Sequence, residues 1–418
     1  MSSRRLWVWT AAIAVLAGAL ALAAGFAASS SRHAERQGPP FFKGESDSGK
    51  DIAGIPNEGP GATYEAEQYA LRAYPSDTIP ADASFNALST FQSFKQKGKS
   101  VGQWSPIGPL QRAQYPAVLD QFLFDGAQYN ASGRVTAMAI APSCTKSHCR
   151  LYIGAAGGGI WVTDKALDGA NATWSYVSGS LGSNAIGSIL IDPSDPSGNK
   201  LYVATGEANA SVDSEAGVGI YKTSDGGQTW SLVPGSNIFF QRAVSSLALD
   251  KDGNLLVGIA SGVRGVCETA QGCASSSGST AHPLVTRGVW RQTGGTFALL
   301  RGTFIRGTNE VAVDPNNSNV LYQASFAEGV WRSLDNGFTW TQIKPPLNPF
   351  PAFSTDRAQF ALAKLPGGKT RMYVGIGASG GAIPARFYRT DDAAGAAAFT
   401  DMTTPQNENY CKIGRAHV

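Results

Sequence analysis

The octapeptides Thr223-Ser-Asp-Gly-Gly-Gln-Thr-Trp230 and Ser333-Leu-Asp-Asn-Gly-Phe-Thr-Trp340 share the pattern Ser/Thr-x-Asp-x-Gly-x-Thr-Trp. Asp225 and Asp335 suit a hairpin turn, because the carboxylate accepts hydrogen bonds from backbone N–H groups a few residues on. Gly227 and Gly337 supply the positive φ that such a turn needs and a Cβ would resist. Thr229 and Thr339 open the outgoing strand. Trp230 and Trp340 offer flat apolar surface to wedge between neighbouring sheets. None of these groups is a nucleophile or a tuned acid. Thr223, Asp225, Gly227, Thr229 and Trp230, with Ser333, Asp335, Gly337, Thr339 and Trp340, are therefore expected to be structural.

Both octapeptides close a longer repeat. Ile189-Leu-Ile-Asp-Pro193, Leu201-Tyr-Val-Ala-Thr205 and Gly219-Ile-Tyr-Lys-Thr223 precede the first. Val311-Ala-Val-Asp-Pro315, Asn319-Val-Leu-Tyr-Gln323 and Gly329-Val-Trp-Arg-Ser333 precede the second. Each unit reads as three short strands, a turn and a fourth strand, rich in β-branched and aromatic residues and bounded by Gly, Pro, Asn and Asp. Degenerate copies begin at Met138, Leu247 and Phe360, which puts the aromatics Trp174, Trp230, Phe297, Trp340 and Phe399 at equivalent places. Four antiparallel strands per repeat is the pattern of a propeller blade. The fold class expected is an all-β propeller with about five blades visible over residues 134–412.

The octapeptide resembles the Asp box, or bacterial neuraminidase repeat, of sialidases, xyloglucanases, sortilin-type receptors and photosystem assembly factors. The resemblance covers about residues 134–405. It is nearer to secreted bacterial sialidase-like and sortilin-N-terminal-like repeat proteins than to a catalytic branch. It implies a binding module for an extracellular protein, peptide or glycan. The alternative it implies is a glycoside hydrolase, sialidase-like or xyloglucanase-like, with an incomplete catalytic set. The Phe/Tyr-Arg-Ile-Pro motif that opens sialidases is absent, and no catalytic residue is assigned.

The ends carry other signals. Arg4 and Arg5 precede an apolar run, Leu6 to Ala27, followed by small residues, so residues 1–30 read as a signal peptide or an uncleaved signal-anchor. A secreted or periplasmic location is expected, with membrane contact only through that anchor. Residues 31–60, rich in Gly, Ser and Pro, read as a disordered linker. Residues 61–130 read as an extension with helical periodicity at Tyr64–Ala73 and Phe85–Lys97 and an outer-strand segment at Trp104–Pro109. Ile413-Gly-Arg-Ala-His-Val418 is what a widely used sequencing adapter encodes, so residues 413–418 are expected to be an artefact and the ring incomplete through C-terminal truncation. Cys144–Cys149 and Cys267–Cys273 are spaced for small loop disulfides, which leaves Cys411 over.

Composition narrows the partners. Arg4, Arg5 and Arg415 account for the whole formal excess of +3. No basic run marks a nucleic-acid footprint. His33, His148 and His282 are scattered without metal spacing, so no metal or cofactor is assigned. Glu207, Asp213 and Glu215 form the densest acidic loop, either solvated with Glu207 capping a turn or a Ca²⁺ site. Arg134, Arg242, Arg306 and Arg357 stand near the starts of first strands. Either they converge as an anion-accepting rim at one mouth of the channel, or each pairs with backbone or an acid between blades.

Overall fold

The short β-branched and aromatic runs form strands wherever Gly, Pro, Asn and Asp punctuate them. The computed structural model describes residues 73–74, 79, 83–96, 113–114, 130–131, 134–209, 214–265, 284–304, 306–347, 356–377 and 385–404. All belong to one compact unit, Lys43–Val418. A helix, α1 (Ala83–Gln96), and a small hairpin of β1 (Ala113–Gln114) and β2 (Asn130–Ala131) come first. Of the two helical periodicities, the second is α1. The first, apart from Ala73, lies outside the described residues, as do the terminal segments 1–30, 31–60 and 413–418 and the outer-strand segment at Trp104.

Five four-stranded antiparallel meanders follow. Sheet I is β3 (Val135–Ile140), β4 (Leu151–Ala155), β5 (Gly159–Thr163) and β6 (Ser175–Tyr176). Sheet II is β7 (Ile186–Ile191), β8 (Leu201–Thr205), β9 (Ile220–Thr223) and β10 (Ser231–Leu232). Sheet III is β11 (Arg242–Leu249), β12 (Leu255–Ser261), β13 (Gly288–Thr293) and β14 (Thr296–Gly302). Sheet IV is β15 (Thr308–Val313), β16 (Leu321–Ser325), β17 (Gly329–Ser333) and β18 (Thr341–Lys344). Sheet V is β19 (Arg357–Lys364), β20 (Thr370–Gly377), β21 (Arg386–Thr390) and β22 (Thr400–Asp401). First strands lie side by side in chain order, β3 on β7, β7 on β11, β11 on β15 and β15 on β19. This is the blade arrangement of a β-propeller. Among the described residues the ring is not closed.

Cores lie between sheets, as period-2 strands buried on both faces require. Ile189, Ile191, Leu201, Val203 and Tyr221 of sheet II pack on Ala137, Ala139, Tyr152, Ile160 and Val162 of sheet I. Leu247, Leu255, Val257 and Trp290 of sheet III pack on Leu190, Tyr202 and Ile220 of sheet II. Phe360, Met372, Val374 and Tyr388 of sheet V pack on Ala312, Tyr322, Ala324 and Val330 of sheet IV. The five aromatics occupy one register position, each immediately before the fourth-strand residue of the pairs Ser175↔Val162, Ser231↔Lys222, Ala298↔Arg291, Thr341↔Arg332 and Thr400↔Arg389.

One irregularity recurs. β3, β7, β11 and β15 each skip a residue against their second strand, at Thr136, Gly187, Ser245 and Asn309, whereas β19 pairs without a break. Such bulges re-aim a side chain. Thr136 Oγ1 donates to the carbonyl of Ile186 in the next sheet, and Asn309 Nδ2 to that of Ala358 at 3.0 Å. At Gly187 the backbones themselves approach. A Cβ there would sit 2.1 Å from the Val244 carbonyl oxygen.

Candidate functional site

In a four-stranded meander the starts of strands one and three share an end with the finishes of strands two and four. The octapeptide turns, between strands three and four, therefore lie at the opposite end from residues that open first strands. Arg134 directly precedes β3, Arg242 opens β11, Arg306 precedes β15 and Arg357 opens β19. All four accordingly occupy one end, called here the head.

Their surroundings differ. Arg134 Nη2 donates to Glu207 Oε2 at 2.8 Å, an ion pair between sheets I and II. Glu207 is buried, at 1% exposure, so it is not a solvated loop residue. Its Oε1 accepts from Asn209 Nδ2 at 2.7 Å. Arg242 Nε donates to the Val285 carbonyl at 2.8 Å. Arg357 Nη1 donates to Asn209 Oδ1 at 2.8 Å, joining sheet V to the loop after β8. Its Nε is buried and meets no acceptor among the described residues. Arg306 has positive φ, 49°, and its carbonyl accepts from Ser261 N at 2.9 Å. Burial lowers the pKa of its guanidinium, and no carboxylate among the described residues offsets this. Burial also lowers that of Arg357, against the opposing pull of Glu207 and Glu310. The structure thus brings the four arginines to one end but commits Arg134 to an acid and Arg242 to backbone. Arg306 is left with no carboxylate acting on it among the described residues, and Arg357 hydrogen-bonds the neutral Asn209 with Glu207 and Glu310 acting on it through space.

Sequence reasoning missed Glu310. It lies on β15, where the corresponding residues of the preceding sheets are Ala137, Ser188 and Ser246. A carboxylate among small residues in an inner strand was the available signal. Burial pushes its pKa up to about 7, with Phe360 N–H donating at 2.9 Å and Arg357 pulling the other way. Arg287 was missed as well. It donates to Ser261 Oγ and the Phe304 carbonyl, both at 2.9 Å, and burial pushes its pKa down to about 10. Arg301 pairs with Glu328, donates to Gln323 Oε1 at 2.8 Å and stacks 3.8 Å over Trp331.

At the opposite end the two octapeptides form matching turns. Asp225 Oδ1 accepts from Thr223 Oγ1 at 2.7 Å and from Thr229 N at 2.9 Å, and Oδ2 from Thr229 Oγ1 at 2.6 Å. Asp335 repeats this with Ser333 Oγ at 2.8 Å, Thr339 N at 2.8 Å and Thr339 Oγ1 at 2.5 Å. These donors hold both carboxyls at about 2, below the usual range. Gly227 and Gly337 both have φ of 94°. Trp230 donates to the Val177 carbonyl of the preceding repeat at 2.7 Å and is half-buried rather than fully enclosed.

Cys144 and Cys149 form a disulfide. Cys267, Cys273 and Cys411 lie outside the described residues, as does Asp213. Among the described residues, no three His, Cys, Asp or Glu side chains are grouped to hold a metal ion. No described helix is long and apolar enough to cross a membrane.

No family model and no curated protein matches the chain. Solved β-propeller structures do. An ancestral GH74 enzyme is 17% identical, with TM-score 0.43 over 65% of this chain and 31% of its own. A protein of unknown function from Dyadobacter fermentans is 12% identical, with TM-score 0.39 over 66% and 84%. An auxiliary nutrient binding protein from Bacteroides thetaiotaomicron is 12% identical, with TM-score 0.35 over 62% and 53%. The chain spans about a third of the GH74 enzyme's length and about half of the nutrient binding protein's.

Proposed function

We propose that the chain is an extracytoplasmic Asp-box β-propeller that binds a carboxylate-bearing glycan or peptide at its head end. One observation carries the reading: the desolvated guanidinium of Arg306 has no carboxylate acting on it among the described residues, while Arg357, which hydrogen-bonds the neutral Asn209, is only partly offset by Glu207 and Glu310. A desolvated guanidinium without a carboxylate favours an incoming anion, which Arg can hold bidentately. The Cys144–Cys149 disulfide supports the location. Glu207 is engaged by Arg134 and Asn209, which argues against Ca²⁺ there. The test is titration of oligogalacturonate and of an aspartate-rich peptide, each beside a neutral counterpart. The double variant Arg306→Ala, Arg357→Ala should bind the acidic ligand about 10–100-fold more weakly, the span of one or two charge-assisted hydrogen bonds. Equal binding of neutral and acidic ligands, or no change in the variant, defeats the reading.

A second reading, a glycoside hydrolase, draws on Glu310, whose raised pKa suits a general acid near neutrality. It needs a second carboxylate across the scissile bond. Glu207, buried against Arg134, is poorly placed to serve.

A further inference from the structure

Two seams share one fastening, built from different residues. Ser246 stands just after the β11 bulge, opposite Gly258, and its Oγ accepts from Val311 N in the next sheet at 3.1 Å. Glu310 holds the same place after the β15 bulge, opposite Ala324, and its Oε2 accepts from Phe360 N in sheet V at 2.9 Å. A single hydroxyl oxygen is enough for this fastening. Glu310 brings a second oxygen, Oε1, to which no described donor is bonded. Asn309, within the bulge, leans on the same strand, since its Nδ2 donates to the Ala358 carbonyl. Both side chains thus lie against the opening residues of β19, where Arg357 begins the strand.

Arg357 connects this seam to the far side of the head. Arg134 of sheet I pairs with Glu207 of sheet II, Glu207 Oε1 accepts from Asn209, and Asn209 Oδ1 accepts from Arg357. Glu310 acts on Arg357 from the other side. The series holds two guanidiniums and two carboxyls. Ion-paired Glu207 offsets one positive charge, and Glu310 offsets the other only when it is ionised. Arg357 Nε is buried and meets no acceptor among the described residues. Of the strands packed on β15, β19 brings Arg357 to Glu310, and neither β12 nor β16 carries a charged side chain. Arg242 of β11 is bonded to the Val285 carbonyl and Arg291 of β13 to Asp250.

We infer that Glu310 belongs to the head-end anion site, and that a carboxylate ligand binds there together with a proton held on Glu310. The neutral acid offers an O–H at Oε1 to the incoming carboxylate, beside the Arg357 guanidinium. The ionised acid would repel the ligand and compete with it for Arg357. The proton comes from solvent and returns there when the ligand leaves. Burial places the titration of Glu310 at about 7, so binding is tight below that pH and weakens above it. This inference rests on the anion-binding reading and adds one proton to each ligand bound.

The test is titration calorimetry of the full chain with oligogalacturonate, whose carboxylates stay ionised at about pH 6 and above. Affinity should fall about 10-fold between about pH 6 and about pH 8. Heats measured at the higher pH in buffers of different ionisation enthalpy should report uptake of close to one proton per site. Glu310→Gln keeps an oxygen for Phe360 N and places an N–H donor where the acid held its proton. It should bind more tightly than the parent at about pH 8, about 10-fold, with no proton uptake and no change of affinity with pH. Equal affinity of the parent at both pH values, or binding without proton uptake, overturns the inference whether or not the variant folds. A pH dependence that persists in Glu310→Gln overturns it by giving the proton to another group. In these outcomes, weaker binding by the double variant Arg306→Ala, Arg357→Ala still upholds the anion-binding reading. No binding at either pH, or binding indifferent to those arginines, defeats that reading and this inference with it.

Discussion

At the scale of the residue, the carboxyls divide by what surrounds them. Asp225 and Asp335 collect hydroxyl and backbone donors on exposed turns and ionise easily, which suits a fastening. Glu310 has a backbone N–H and a distant arginine in a desolvated inner strand, so its neutral form is favoured. Its folded pKa, about 7, lies above the ordinary 4.5. Folding therefore takes up a proton between these values. The stability from burying the neutral acid is complete below about pH 4.5 and is lost as pH rises through about 7. Glu310→Gln should remove this dependence, leaving the variant more stable than the parent above pH 7 by at most ~3.4 kcal/mol. Urea unfolding of both proteins at a series of pH values checks it. Parallel stability curves would show that Glu310 does not titrate in that window.

At the scale of the element, the strands and octapeptide turns were legible because their determinants are local. Alternation, bounding Gly and Pro, and an Asp with its donors four residues on all lie within one repeat. Inter-sheet connections were not legible. Arg134 and Glu207 are 73 residues apart, and Arg357 and Asn209 are 148 apart. Nothing in the local pattern announces those pairings, so the arginine rim stood in the sequence as a shared column with no partners attached. The bulges were hidden likewise, since skipping a residue leaves the alternation almost intact. Ser246, next to one bulge, illustrates their use. Its Oγ accepts from Val311 N at 3.1 Å and donates to Val311 O at 3.3 Å, fastening β11 to β15. Ser246→Ala should cost about 1–3 kcal/mol, because it strands a buried N–H as well as removing a bond. Ser246→Thr, which keeps the hydroxyl, tests whether the bond is responsible. If Ala and the parent unfold at the same denaturant midpoint, the fastening contributes nothing.

At the scale of the whole molecule, stability is distributed by neighbours. Each sheet packs on its neighbours in chain order, so among the described residues sheets II, III and IV each share two seams and sheets I and V one each. An array of this kind behaves approximately as a sum of unit and nearest-neighbour terms, and opens from its ends. The outer strands weaken it further: β6, β10 and β22 are two residues long. In contrast β11 and β12, at the middle, run for eight and seven residues, and β12 is buried throughout. Native-state hydrogen exchange should therefore rank the sheets by position. Amides of β3–β5 and β20–β21 should exchange through low-energy openings, and those of β11–β12 and β15–β16 only near the global unfolding free energy. Uniform protection across all five sheets would mean that the sheets unfold as one cooperative block, with no weak ends.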